Sequence, residues 1–249
     1  MALAAKYGII SDVHANYTAM KMALEHLEAA GCDAILNLGD LVGYGAQPAQ
    51  CVEAIRALPN VISIIGNHDR QAMGEKDDRM RKTAAKVLEW TAQHLTEDDL
   101  VYLRAVPQGL VLEELFILVH GSLVERDTYL LSSPEITRNM KSMIEDFPQA
   151  RVCFFGHTHV PMLIGTKAIV TDLQETKTFK LDPNEKYMIN PGSVGQPRDK
   201  CPLSSFGIFD TKNWTMTFIR KPYDYRAAQK LIIDNGLPEK FARRLALGI

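Results

Sequence analysis

An α/β fold of two sheets with outer helices is predicted by three observations. Short β-branched runs alternate with amphipathic stretches through the first half of the chain. Short strand-like runs separated by turn residues follow from Arg151 onward, and each strand of the first half runs into a polar cluster. The 249 residues suffice for one such domain, residues 1–249, with a core that needs no disulfide.

Each element has its own justification. Tyr7 to Ser11 reads as a buried strand, and from Tyr17 to Ala30 the apolar residues Ala19, Met20, Ala23, Leu24 and Leu27 keep the spacing of one helix face. A strand at Ala34 to Leu38, a helix at Pro48 to Leu58 and a strand at Val61 to Ile65 repeat the pattern, so βαβ units and a largely parallel sheet are expected. Thr83 to His94 and Glu97 to Arg104 read as helices, and Leu110 to Val119 as a hairpin with Glu113 and Glu114 at its turn. Six runs, Val152 to Phe155, Met162 to Gly165, Ala168 to Thr171, Tyr187 to Asn190, Phe206 to Asp210 and Thr215 to Arg220, imply a second, mostly antiparallel sheet. Tyr225 to Ile233 is a closing helix, and the basic stretch Lys240 to Arg244 reads as a solvated tail.

A formal charge of -2, with 46% hydrophobic and 23% charged residues, is ordinary for a soluble chain and calls for neither nucleic acid nor membrane. Cys32, Cys51, Cys153 and Cys201 form no CxxC pair and read as free thiols of a reducing compartment. The opening MALAAKYGIISD lacks a signal-peptide pattern and no apolar run is long enough to cross a bilayer, so a cytoplasmic location is expected. Neither a GxxxxGK loop nor a strand-linked GxGxxG is present, which disfavours nucleoside triphosphatases and dinucleotide dehydrogenases.

The polar clusters carry the chemistry. The first strand leads into Asp12 and His14, the second into Asp40, the third into Asn67, His68 and Asp69, the hairpin into His120, and the Val152 strand into His157 and His159. Ligands of doubly wound sheets bind beyond the carboxyl ends of the strands. In extended chain, residues i and i+2 share a side, so Asp12 with His14, and His157 with His159, can each aim two donors at one point. Carboxylates, imidazoles and an amide oxygen suit divalent metals, and Asp12, His14, Asp40, Asn67, His120, His157 and His159 exceed what one tetrahedral ion takes. Two ions sharing a carboxylate would use them all. His26 and His94, on predicted helices, read as structural.

In order, the blocks DVH (Asp12 to His14), GDLVGYG (Gly39 to Gly45), GNHD (Gly66 to Asp69), VHGS (Val119 to Ser122) and GHTHVP (Gly156 to Pro161) resemble the calcineurin-like metallophosphoesterase superfamily. NPGSVGQPR (Asn190 to Arg198) is similar to its small bacterial and archaeal phosphodiesterase branch. The resemblance implies a four-layer α/β/β/α sandwich of two mixed sheets. It also implies that Asp12, His14, Asp40 and His159 hold one metal and Asp40, Asn67, His120 and His157 the other, with Asp40 as the bridge and His68 facing the substrate. The implied cofactors are two divalent ions, manganese first, with Fe, Zn, Mg, Ni or Co as the alternatives.

The implied activity is hydrolysis of a small-molecule phosphodiester or nucleotide by a metal-bridging hydroxide. His68, at an ordinary pKa of about 6.5, would protonate the leaving oxygen or stabilise the transition-state oxygens, and Asp69 would orient its ring or serve only as a cap. Arg198, Arg70 and Tyr44 are candidate substrate contacts, Tyr129 is a further stacking candidate, and Leu123 to Phe147 is expected to frame the pocket. The alternative is a phosphomonoesterase or protein phosphatase, although GNHD in place of GNHE counts against the serine/threonine phosphatase branch. A nuclease is disfavoured by the lack of a long basic stretch. From another class comes a non-catalytic metal-binding scaffold, against which the complete ligand set and His68 both speak.

Overall fold

The computed structural model describes residues 4–77 and 80–249. It opens with β1 (Lys6–Ile10), α1 (Tyr17–Ala29), β2 (Ala34–Asn37), α2 (Pro48–Arg56) and β3 (Val61–Ser63). There follow α3 (Asn67–Ala72), α4 (Lys82–Gln93), α5 (Glu97–Ala105), the hairpin of β4 (Gly109–Leu112) and β5 (Phe116–Val119), α6 (Ser133–Glu145) and β6 (Val152–Phe154). Strands β7 (Met162–Gly165), β8 (Ile169–Val170), β9 (Lys177–Lys180), β10 (Tyr187–Asn190), β11 (Ser204–Asp210) and β12 (Thr215–Lys221) precede α7 (Tyr225–Asp234) and α8 (Glu239–Leu247).

Local chemistry accounts for several boundaries. The Asn16 side chain accepts the Ala19 N–H at 3.2 Å and starts α1, whose Ala19, Met20, Ala23 and Leu27 face inward. Pro48 opens α2 in the first turn, where its missing N–H costs nothing. Glu113 and Glu114, at φ 51° and 56°, make the left-handed turn that matches the twist of β4 and β5.

Two mixed six-stranded sheets result, in the orders β3-β2-β1-β11-β12-β9 and β4-β5-β6-β10-β7-β8. The early strands β1, β2 and β3 are parallel, as their alternation with helices requires. The late strands, however, do not form a sheet of their own. β11 pairs antiparallel with the open edge of β1, and β12 and β9 extend that sheet, while the hairpin strand β5 pairs parallel with β6. Period-two alternation gives β11 two buried faces in that position: Phe206 faces the helices over the first sheet, while Phe209 faces the second sheet.

Between the sheets lie Tyr7, Ile9, Leu36 and Phe218 from one side and Leu118 and Ile189 from the other, around the rings of Phe116, Phe154 and Phe209. These three rings meet edge to face with centroids 5.7, 5.4 and 5.6 Å apart. Helices α1, α2 and α5 cover the outer face of the first sheet and α6 that of the second, which completes the four-layer α/β/β/α sandwich. The stretch Lys240 to Arg244 departs from its reading as a solvated tail. It lies in α8, which buries Phe241, Ala242 and Leu245 against Ala228 and Ile232 of α7 and Val87 of α4. Its charges occupy one face and its apolar residues recur at helical spacing, a pattern masked by the basic count.

Phe209→Ala should lower the unfolding free energy by about 3–5 kcal/mol, because the cavity it leaves is walled by two rigid sheets. Urea denaturation checks this; a loss under about 1 kcal/mol would show that the rings are not the seam between the sheets.

Candidate metal centre

The polar clusters all leave the carboxyl ends of parallel strands: Asp12 and His14 after β1, Asp40 after β2, Asn67 and His68 after β3, His120 after β5, and His157 and His159 after β6. The loops after the strands stay paired. Asp12 N–H donates to Gly39 O at 3.0 Å and His14 N–H to Asp40 O at 2.9 Å, while Gly195 N–H donates to Asp12 O at 3.1 Å. The two sheets therefore pour their chemistry into one point between them.

Extended chain is not how these side chains converge. Asp12, His14, Asp40, His157 and His159 sit at φ 54°, 52°, 56°, 66° and 59°. Left-handed backbone at a non-glycine residue costs about 1–3 kcal/mol and persists only where the surroundings over-determine it. Here it leaves Asp12 and His14 in one group and swings His157 and His159 into different ones. His159 joins Asp12 and His14, whereas His157 joins Asp40 and His120, each set with ligand-type atoms within 4.8 Å of one another. Two glycines let the loops close in: a Cβ on Gly66 would strike the Asp40 carboxylate, and one on Gly156 would strike the Ser11 hydroxyl.

Asp40 is central. Its Oδ1 accepts the His68 backbone N–H at 2.8 Å, and its Oδ2 lies 3.3 Å from His120 Nε2 and 3.6 Å from His14 Nε2. Asp12 Oδ1 lies 3.4 Å from His159 Nε2, and Asn67 Oδ1 lies 3.1 Å from His120 Nε2. Burial acts against every charge here, yet His120, His68 and His14 together hold the Asp40 carboxyl well below its usual range. Against the same burial, Asp40 raises His120 to about 10. Burial lifts Asp12 to about 7.

The imidazole tautomers are fixed by carbonyl oxygens, which can only accept. His14 Nδ1–H donates to Val42 O at 3.2 Å, His159 Nδ1–H to Gln196 O at 2.6 Å and His120 Nδ1–H to Leu38 O at 2.7 Å. His157 is turned the other way, with its Nε2–H on Asp127 O at 3.1 Å, so its Nδ1 is the free acceptor. Burial drives His14 and His159 well below the usual histidine range, hence both are neutral. Their Nε2 atoms are nevertheless 3.0 Å apart and each offers a lone pair to the other. A proton on one Nε2 or a cation shared by both would satisfy the two lone pairs, and Asp12, His14 and His159 form a group that could hold a metal ion.

His68 caps this group from the cavity side, with its ring 4.9 Å from His14 and 4.4 Å from Tyr44. Its buried Nδ1 has no partner among the described residues. Burial, with Arg198 and His120 adding to it, takes His68 down to about 4, so the ordinary value of about 6.5 expected from sequence is not the one it holds in the fold. Asp69 does not orient that ring. Its Oδ2 accepts the N–H groups of Asp40 and Gly66 at 2.9 and 3.0 Å and its Oδ1 that of Val42 at 3.0 Å, which ties two strand-end loops to the start of α3.

A cavity of about 550 Å³ opens over the group, walled in part by Tyr44, Asn67, His68, Asp127, Tyr129, His157 and Arg198. Arg198 faces it over the ring of Tyr44, 5.6 Å from the centroid, and its buried Nε has no partner among the described residues. Tyr129 is not free to stack outward on both faces, because one lies on His157 at 4.1 Å. Arg70 is not part of the cavity wall: its Nη2 donates to both Asp127 oxygens at 2.7 and 2.8 Å and its Nε to Glu75 at 3.0 Å, while its buried Nη1 has no partner among the described residues. From the segment Leu123 to Phe147, residues Asp127, Thr128 and Tyr129 reach the wall.

Sequence reasoning did not assign the loop after β10 its mechanical part. Asn190 Nδ2 donates to Gly156 O at 2.8 Å and to Thr158 Oγ1 at 3.0 Å, and Ser193 Oγ donates to Asp12 O at 2.7 Å. With Gln196 O on His159, this loop clamps both histidine-bearing segments. Asn190, Ser193 and Gln196, spaced around Gly192 and Gly195, were its signal.

Asp69→Ala should destabilise the metal-free protein by roughly 2–4 kcal/mol, since three buried N–H groups lose one acceptor. An unchanged urea midpoint would remove Asp69 from its place as the tie between the loops.

Residues 6–214 match the model of the calcineurin-like phosphoesterase superfamily domain. An uncharacterized protein of Methanocaldococcus jannaschii is 37% identical over 243 residues, 96% of this chain and 97% of that protein. The crystal structure of a metallophosphoesterase from Sphaerobacter thermophilus is 35% identical and superposes with a TM-score of 0.86 over 99% of this chain and 100% of that one. A hypothetical protein from Pyrococcus horikoshii, 20% identical, shares the fold at a TM-score of 0.79 over 98% of each chain. The match runs through the same strand ends that gather the carboxylates and imidazoles, and the chain belongs to the calcineurin-like phosphoesterase superfamily.

Proposed function

We propose that this chain is a single-domain hydrolase of small-molecule phosphodiesters or nucleotides that works with two divalent metal ions, manganese first among them. The observation that carries the metal is the opposed pair of neutral imidazoles, His14 and His159, with Nε2 atoms 3.0 Å apart. The donor set fits: carboxylate, imidazole and amide oxygens without thiolate suit manganese and its neighbours. Asp12, His14, Asp40 and His159 would hold one ion and Asp40, Asn67, His120 and His157 the other. When bound, such a pair neutralises charge on phosphoryl oxygens and lowers the pKa of water to near neutrality.

The remaining work falls to the chain. Asp40 fixes the spacing of the two ligand sets because its second oxygen is already committed to the His68 N–H. Neutral His68 presents a ring N–H to the phosphoryl or leaving oxygen, and Gly43, without a Cβ, leaves room for its Nδ1 side. Arg198, held over Tyr44, offers its unpartnered Nε–H to an anionic oxygen at the cavity wall. Free, buried Cys51 and Cys153 accord with a reducing cytoplasmic setting, and no helix among the described residues is long and apolar enough to cross a membrane.

The test is hydrolysis of bis(p-nitrophenyl) phosphate against p-nitrophenyl phosphate by metal-stripped protein reloaded with manganese. Diester turnover that depends on metal is expected; faster turnover of the monoester would reverse the preference, and no turnover of either would remove the esterase reading. His68→Ala should keep its manganese, counted by elemental analysis, and lose about 10²–10⁴ in kcat. Asp40→Ala should lose manganese as well as turnover, and a normally loaded Asp40→Ala would take that residue out of the bridge.

A further inference from the structure

Beyond residue 214, where the family match ends, α8 packs against α7 and reaches the mouth of the cavity. Helix α8 brings Lys240, Phe241 and Arg244 to its wall, and Arg81, at the start of α4, joins them. With Arg198 this places four cations on one cavity of a chain whose formal charge is -2. The wall also carries Asp77 and Asp127, of which Asp127 is held by Arg70 and Arg126.

The cations form an ordered path outward from the metal centre. His68 touches Tyr44 at 4.4 Å, Tyr44 touches Phe241 at 4.9 Å, and Phe241 carries Lys240 Nζ at 4.9 Å and Arg244 Cζ at 5.7 Å from its ring. Phe241 is 1% exposed, so the aromatic base of the path is fixed by packing. Among the described residues, the near partners of three of these cations are neutral: Gln196 Oε1 for Arg198 at 3.0 Å, the Thr83 hydroxyl for Lys240, and the Phe241 ring for Arg244. Burial and the like charges of Arg198 and Arg81 push Arg244 down, which marks crowding that an anion would relieve. Guanidinium forks and an ammonium, set along an aromatic floor, match phosphate oxygens.

We propose that Arg81, Lys240 and Arg244 form a second anion subsite on the metal cavity, so that the preferred substrate carries a further phosphate beyond the phosphoryl group presented to the metal centre. This rests on the phosphoesterase reading and narrows it to substrates with at least two phosphates. The reaction itself is unchanged; the outer phosphate is bound and not transferred. Selectivity arises because a substrate lacking it leaves the cations crowded and hydrated.

The test reads binding without metal and without turnover. Metal-free wild type and an Arg81→Gln/Arg244→Gln variant are titrated calorimetrically with inorganic phosphate and with tripolyphosphate. Wild type should prefer tripolyphosphate by about tenfold or more, and the variant should lose most of that preference. The preference should also weaken as salt rises, because the contacts are charge on charge. Lys240→Gln, at an exposed position, is the second variant should the double one melt early, and a smaller loss in the same direction is expected. Adenosine 5′-diphosphate and adenosine 3′,5′-bisphosphate then separate a phosphate chain from a separately esterified phosphate, and a variant-sensitive preference for either supports the subsite. Equal binding of phosphate and tripolyphosphate by wild type, or an undiminished preference in the folded variants, overturns it. A manganese-loaded enzyme inactive on esters that still prefers tripolyphosphate would remove the hydrolase reading and leave the subsite standing.

Discussion

The Asp40 carboxylate is the constraint on which the rest of the centre depends. It is 1% exposed, it spends one oxygen on the His68 N–H, and it turns the other toward His120 and His14. A carboxylate so placed must be met by positive charge, because the desolvation of a lone buried anion costs more than packing can offset. Protonated His120 meets part of that need in the metal-free chain. The donor groups around His14 and His120 are then not independent, since moving this one side chain would disturb both.

Holding Asp40 there calls on distant parts of the chain. Loops after β1, β2, β3, β5, β6 and β10 reach one point only because two sheets lie face to face with their parallel strands ending on the same side. The seam of Phe116, Phe154 and Phe209 fixes that alignment, and the Asp69 and Ser193 contacts lock the loops onto it. Five left-handed residues at the centre are then affordable as local strain, since the surrounding hydrogen bonds leave the backbone no alternative path.

Around this core, the C-terminal helix α8 supplies part of the cavity wall. Phe241 anchors α8 while Lys240 and Arg244 flank its ring, so one short amphipathic helix supplies both a hydrophobic seal and a charged lip. The same division recurs at Tyr129, which packs on His157 and faces the cavity. The donor cluster and the outer cavity wall are thus built from different segments, the first from strand ends and the second from α8 and the loop around Tyr129.

The sequence by itself determined the donor chemistry. Asp12, His14, Asp40, Asn67, His68, His120, His157 and His159 stand at the ends of short apolar runs, and that periodicity is local, so the strands other than β9, the helices α1, α2, α4, α5 and α7, and the polar groups after the strands were legible; β9, with Phe179 as its one apolar residue, carries no such signal. Tertiary structure decided what local pattern cannot encode. Which sheet β11 and β12 join is a matter of which edge is open, and both edges accept the same alternation. The opposite tautomers of His157 and His159 depend on carbonyls 30 and 37 residues away in sequence, and the fall of His68 to about 4 depends on burial that no spacing reveals. Arg70 and Arg198 look alike as arginines beside glycine-containing motifs; only the fold gives one to Asp127 and aims the other at the cavity. Composition made Lys240 to Arg244 a solvated tail, whereas the apolar face of α8 had a partner, α7 with α4, and burial of that face outweighed the charge count.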